Sequence, residues 1–211
     1  MAAENTFLIV GLGNPGPNYV GHRHNIGFQV VEHLAARFGI AFADIDSVCE
    51  QATLNSEDRT LILLKPQLYM NCSGEALLDW SRRRGIELTG STDPESQGFR
   101  PLVVCDDLSL PLGSLRLRAR GSSGGQNGLD SVIQALGGQE LPRLRLGIAG
   151  GDGSVPPGEW SEYVLSPFLP EEKEQVGDQV DQAIQALECV LDLGVNQAAS
   201  RFNRRILPDA E

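Results

Sequence analysis

Phe7-Leu-Ile-Val10 runs directly into Gly11-Leu-Gly13-Asn14-Pro15-Gly16, and His22-Arg23-His24-Asn25 follows six residues later. The apolar run reads as a buried strand. From about Gly27 to Phe38 the apolar residues recur at helical spacing. A glycine-rich turn and a polar cluster therefore sit where a strand hands over to a helix. In α/β sheets that is where chemistry collects, outside the carboxyl ends of the strands.

Downstream, the same alternation continues. Residues 47–55 and 59–65 read as two strands, with Ser56-Glu57-Asp58 as the hairpin turn. Residues 72–84 read as a helix with Ala76, Leu77 and Trp80 on one face. Residues 87–99 are rich in Ser, Thr, Gly and Asp and form a loop. Residues 101–105 are a short apolar strand ending at Asp106-Asp107, and 114–118 alternate Leu with Arg as a half-exposed strand. A glycine-rich loop at 121–128 precedes a short helix at 129–136 and a strand at 143–148. A Gly/Pro loop spans 150–158, and helices are expected at 171–193 and about 196–204. No repeat or long linker divides the chain. The expectation is one α/β domain over residues 1–211, a mixed twisted sheet flanked by helices in three layers, with 1–5 and 206–211 frayed.

Composition narrows the possibilities. At 211 residues and 41% apolar content, the chain can bury one sizeable core. Charged residues make up 21% and no long apolar run occurs, so no membrane span is expected. The N-terminus lacks a basic region followed by an apolar one, so no secretory signal is read there. Cys49, Cys72, Cys105 and Cys189 form no CxxC pair and are expected to be reduced, mostly buried thiols of a cytoplasmic protein. The net charge of −11 argues against general affinity for nucleic acid, though not against a local basic patch. One such patch lies in residues 113–150, where Arg116, Arg118, Arg120, Arg143 and Arg145 face only Asp130 and Glu140.

Three familiar patterns fail on physical grounds. Gly11-x-Gly13-x-x-Gly16 fits the dinucleotide fingerprint, but Pro15 removes a backbone N–H donor, and no acid stands about 20 positions on. Gly121-Ser122-Ser123-Gly124-Gly125 fits a nucleophile elbow, yet the strand before it carries Arg116 and Arg118, and every histidine lies upstream. His22-x-His24 with Asp106-Asp107 lacks a third histidine or thiolate at ligand spacing. One functional and one solvent-facing histidine is the better account of His22 and His24.

What remains is a constellation of Asn14, His24, Asn25, Asn71, Asp106 and Asn127, all placed by this reading at loops or strand ends. A lone asparagine is ordinarily a cap or turn residue. A lone aspartate can be a cap, and a lone histidine a hydrogen-bonded structural residue.

In combination, these stretches resemble the bacterial-type peptidyl-tRNA hydrolases. The matching pieces, in order, are Leu8 to Gly16, Tyr19, Arg23-His24-Asn25-Ile26-Gly27, Tyr69-Met70-Asn71-Cys72-Ser73-Gly74, Asp106-Asp107-Leu108 with Leu110-Pro111-x-Gly113, Gly124 to Leu129, and Arg143 to Ile148. The resemblance implies hydrolysis of the ester joining a peptide to the terminal ribose of tRNA, recycling tRNA from prematurely released chains. It implies no metal and no organic cofactor. Its partner is peptidyl-tRNA, through the peptide and the acceptor end. A monomer with no obligatory protein partner is the expectation.

Residue by residue, the resemblance makes His24 the general base. Imidazole as a group titrates near ~6.5 and can take a proton from water at neutral pH. Asp106 is the carboxylate that orients it, with Asp107 a solvated neighbour. Asn14 is the residue that separates blocked from unblocked aminoacyl-tRNA, its oxygen accepting from a peptide N–H. Asn71 and Asn127 are substrate-binding asparagines. Which asparagine would stabilise an oxyanion stays open. Tyr19 and Tyr69 are tRNA-contacting aromatics, able to stack on the terminal adenosine. Arg118 and Arg145 are the basic residues that clamp the acceptor-stem phosphate. Residues 150–158 and the start of the 171–193 helix would form a lid.

Three departures stand out. His22 puts a second histidine near the site, Gln126 stands where many members carry histidine, and Asp130 replaces a usual basic or neutral residue. The rival reading is a non-catalytic RNA-binding scaffold on the same fold, as in related organellar splicing factors.

Overall fold

The computed structural model describes residues 6–44, 47–93, 98–150, 155 and 158–203. The expectations for frayed ends at 1–5 and 206–211, and for most of the 150–158 loop, lie outside the described residues.

The chain forms strands β1 (Thr6–Gly11), β2 (Ala43–Asp44), β3 (Cys49–Asn55), β4 (Thr60–Pro66), β5 (Leu102–Pro111), β6 (Leu115–Arg118) and β7 (Arg143–Ala149). Its helices are α1 (Ile26–Arg37), α2 (Ser73–Arg84), α3 (Asn127–Ala135), α4 (Trp160–Val164), α5 (Lys173–Leu193) and α6 (Val195–Phe202). All seven strands join one sheet in the order β2-β3-β4-β1-β5-β7-β6. The centre, β4-β1-β5-β7, is parallel, and the edges are antiparallel. The expected mixed α/β sheet in three layers is therefore what the chain builds.

The layers follow from the two-residue period of a strand. Ile9, Leu102 and Val104 face a core completed by Val30, Leu34, Ile184 and Leu187 of α1 and α5. Leu8, Val10, Val103 and Cys105 face the other side, against Leu77 and Trp80 of α2 and Leu129 and Val132 of α3. The central strands are apolar on both faces because both faces are covered.

Two glycines set how closely α1 approaches the sheet. A Cβ on Gly11 would stand 2.3 Å from the Gly27 carbonyl oxygen, and one on Gly27 would stand 2.4 Å from that of Val104. Backbone thus lies on backbone, and the first turn of α1 is pressed against β1 and β5.

Several boundaries differ from the sequence reading. β5 does not end at Asp106-Asp107 but continues through both, pairing Asp106 with Leu146 and Asp107 with Gly147 of β7. Pairing partners on β7 keep this polar stretch extended. α3 starts at Asn127, so Asn127 is helical and not a loop residue. Gln126 caps that helix, which extends it by two residues. β2 and α4 were not anticipated. At two and five residues they are too short to carry a periodic pattern. The Ser56 hairpin forms as expected, with the Ser56 N–H donating to the Arg59 carbonyl at 2.9 Å.

Candidate active site

After β1, the Leu12 N–H makes one more bond to β5, at 2.9 Å to the Val104 carbonyl, before the chain departs at Gly13. Asn14 and Asn25 then lock two loops together. The Asn25 amide donates to the Asn14 carbonyl at 2.9 Å, and the Asn14 N–H donates to Asn25 Oδ1 at 2.9 Å. This reciprocal pair fixes the short 3₁₀ turn Arg23–Asn25 that carries His24.

His24 Nδ1 lies 2.9 Å from each Asp106 carboxylate oxygen. A carboxylate can only accept, so Nδ1 carries the proton and Nε2 is left as an acceptor. Nε2 makes no hydrogen bond among the described residues. Asp106 reaches His24 because it stands two residues beyond Val104, where the α1 turn touches the sheet.

Asn14 Oδ1 accepts from the Met70 N–H at 2.8 Å. With its second lone pair the same oxygen can still accept from a peptide N–H. The contact fixes the amide plane and leaves the nitrogen without a hydrogen bond among the described residues. The same bond ties the loop after β1 to the 3₁₀ turn Met70–Cys72, which carries Asn71. Asn71 and Asn127 are exposed and line one groove of about 740 Å³ between α2 and α3, beside Cys72, Glu75, Asp79 and Asp130. Tyr19 and Tyr69 meet edge-on at 6.3 Å, and Tyr69 is 62% exposed. The structure therefore brings Asn14, His24 and Asp106 into one cluster. It sets Asn71 and Asn127 in the adjoining groove, and Tyr19 and Tyr69 as a pair.

The arginines divide. Arg118 is exposed and Arg116 half-buried, but Arg143 and Arg145 are buried. Arg145 is 8% exposed, donating to Asp107 at 3.0 Å and to the Ser122 carbonyl at 2.9 Å. Arg143 donates to the carbonyls of Gly121 at 2.6 Å and Ser122 at 3.0 Å. Burial, with Arg145 beside it, holds its guanidinium below the ordinary arginine range. The basic patch is thus smaller than the sequence suggests, and these two side chains anchor the glycine-rich loop from beneath. Asp107, expected to be solvated, is a buried ion-pair partner. His22 is half-buried against the Tyr19 ring at 5.7 Å, not solvent-facing. Asp107 is covered by Arg145 of β7, and His22 by the nearby Tyr19 and by its bridge to Pro167.

Cys105, beneath Asp106, has its thiol pushed well above the ordinary range, chiefly by burial and then by the negative charge of Asp106. It is an inert packing group.

Two residues that hold the site together escaped the sequence reading. Arg23 is 3% exposed, pairs with Glu172 at 2.6 Å, and stacks on Tyr163 at 4.4 Å. It also donates to Ser166 at 3.0 Å and to the Pro167 carbonyl. It fastens the His24 turn to the segment leading into α5. Its partner is 149 residues away, and no spacing announces it. Gln126 donates to Asp106 Oδ1 at 3.0 Å. Its partner lies 20 residues back on β5, and neither contact of its amide was read from the sequence. Among the described residues, no cluster of three His, Cys, Asp or Glu side chains could hold a metal. Among the same residues, no helix is long and apolar enough to cross a membrane.

A three-layer sheet with an imidazole held against a carboxylate outside its central parallel strands defines a class, the mixed-sheet α/β proteins. Comparison narrows it. The sequence profile described as peptidyl-tRNA hydrolase matches residues 8–209. A peptidyl-tRNA hydrolase of Chlorobaculum parvum is 40% identical over 202 residues, covering 94% of this chain and 98% of its own length. One from Synechococcus sp. (strain JA-3-3Ab) is 45% identical over 203 residues, covering 93% and 82%. The crystal structure of peptidyl-tRNA hydrolase from Acinetobacter baumannii superposes with a TM-score of 0.79 at 33% identity, covering 96% of this chain and 97% of that one. The chain belongs to the peptidyl-tRNA hydrolase family.

Proposed function

We propose that this protein hydrolyses the ester between a peptide and the terminal ribose of tRNA, with His24 as general base. The reading rests above all on the 2.9 Å contact of His24 Nδ1 with Asp106, which leaves Nε2 to receive a proton from water. Water attacks the ester carbonyl as its proton passes to Nε2. The other proton stays on Nδ1, and Asp106, accepting from it, stabilises the imidazolium as the acid does in a serine triad. The ribose oxygen leaves with the proton returned from Nε2. An amide N–H directed at the carbonyl oxygen would stabilise its developing charge by roughly 2.7–4 kcal/mol. Asn14 suits that role, because the Met70 N–H holds its amide in place while its nitrogen makes no hydrogen bond among the described residues.

Asn71 and Asn127 hold substrate in the adjoining groove, and Tyr19 with Tyr69 offers rings to a terminal base. Arg118, exposed on β6, contacts phosphate directly. Arg145 acts through the loop it anchors. The scaffold alternative gains no support from the comparisons, whose named relatives are hydrolases.

The test is release of an N-blocked amino acid from its tRNA over many turnovers in the presence of a chelator. Wild type should turn over, and His24→Ala should lose at least about 10²-fold, the lower range for general-base catalysis. Unchanged release by the variant would remove His24 as the base.

A further inference from the structure

Gln126 touches three parts of the site at once. Its Oε1 accepts from the Leu129 N–H at 2.5 Å, capping α3. With the oxygen committed, Nε2 faces away from the helix, 3.0 Å from Asp106 Oδ1 and 3.3 Å from Met70 Sδ. Flipping the amide would set oxygen against a carboxylate and N–H against N–H, so its orientation is fixed from both ends. The side chain is 7% exposed, which keeps water from replacing either bond.

Asp106 therefore receives N–H groups from two sides, His24 and Gln126. A carboxylate held by one bond can rotate about its Cβ–Cγ axis. Held by two, it stays aligned with the imidazole. Gln126 is neutral, so the carboxylate keeps its charge to set against an imidazolium. The residue after Gln126 is Asn127, which lines the groove.

We propose that Gln126 is a positioning residue for the general base: it holds Asp106 against His24 and fixes that arrangement to the helix that carries Asn127. The proposal rests on the reading of His24 and Asp106 as the base pair, and goes beyond it by assigning the second donor.

The experiment is a double-mutant cycle on kcat, with Gln126→Leu, Asp106→Asn and the double variant. A hydrogen bond to a charged group is worth about tenfold to a hundredfold, so Gln126→Leu should lower kcat by that factor, with KM within about twofold. In the Asp106→Asn background the same change should cost less than about twofold. A side chain that only caps α3 would cost the same in both backgrounds, and that additivity would overturn the proposal. Gln126→His guards against misfolding, since a ring N–H can still reach Asp106 while the cap on Leu129 is weakened. It should keep most of kcat even where the thermal midpoint falls, and a loss of kcat as large as that of Gln126→Leu would also overturn the proposal. If Asp106→Asn alone left kcat intact, the fault would lie with the base assignment itself.

Discussion

Asp106 and Asp107 are successive residues on β5, both buried, and their surroundings have little in common. Asp106 meets two neutral donors, His24 and Gln126. Asp107 meets the guanidinium of Arg145 and takes bonds from the Ser109 N–H at 2.8 Å and hydroxyl at 2.6 Å. The first carboxylate keeps its charge available for an imidazolium. The second has its charge cancelled and serves to anchor a loop. A strand sends successive side chains to opposite faces, so one step along the chain exchanges the setting proposed for catalysis for a structural one.

The sharpest way to break this contrast is Asp106→Asn. An amide in place of the carboxylate can present N–H to Nδ1 and favour the wrong tautomer, so kcat should fall by up to about 10⁴-fold, as for the matching change in a serine triad. Folding stability should change little beside it, and steady-state release together with urea unfolding would show both. Asp107→Asn should do the reverse. It leaves Arg145 buried without its counter-charge, at a cost of about 3 kcal/mol read from the urea midpoint. Were Asp107→Asn to lose activity while keeping stability, the two residues would not divide their roles in this way.

A smaller effect tests the division between exposed and buried arginines. Arg118→Ala should reduce the slope of log affinity for tRNA against log salt by about one, the loss of one phosphate contact. Arg145→Ala should leave that slope unchanged and lower stability instead. The smallest effect belongs to Cys105, whose folded thiol is held neutral by burial. The unfolded thiol ionises near its ordinary value, so the folded state holds the extra proton, and stability falls as pH rises through that range. Up to pH 9 this amounts to less than about 1 kcal/mol. At pH 8 a thiol reagent should modify Cys72 before Cys105 in the native protein.

Much of the fold was legible because strand and helix periods differ and the central strands are continuously apolar. Phe7 to Val10, residues 60–65 and residues 101–105 could hardly be anything but buried strands. The extension of β5 through Asp106 and Asp107 was not legible, since two aspartates end an apolar pattern. Only pairing with β7 keeps them extended. In the site, His24, Asp106 and the asparagines stood out by residue type and order. Gln126, Arg23 and the burial of Arg145 did not, because each depends on a partner contributed by a distant segment.

Local chemistry along the chain thus determined which stretches pair as strands, which faces are apolar, and which side chains could carry a proton. Periodicity and side-chain pKa are properties of residues and their near neighbours. Tertiary structure decided which aspartate serves the imidazole, which end of the Asn14 amide is unengaged, and which arginines still face solvent. Those outcomes turn on burial and on hydrogen bonds between segments 50 or more residues apart, such as Asn14 with Met70 and Asp106 with His24.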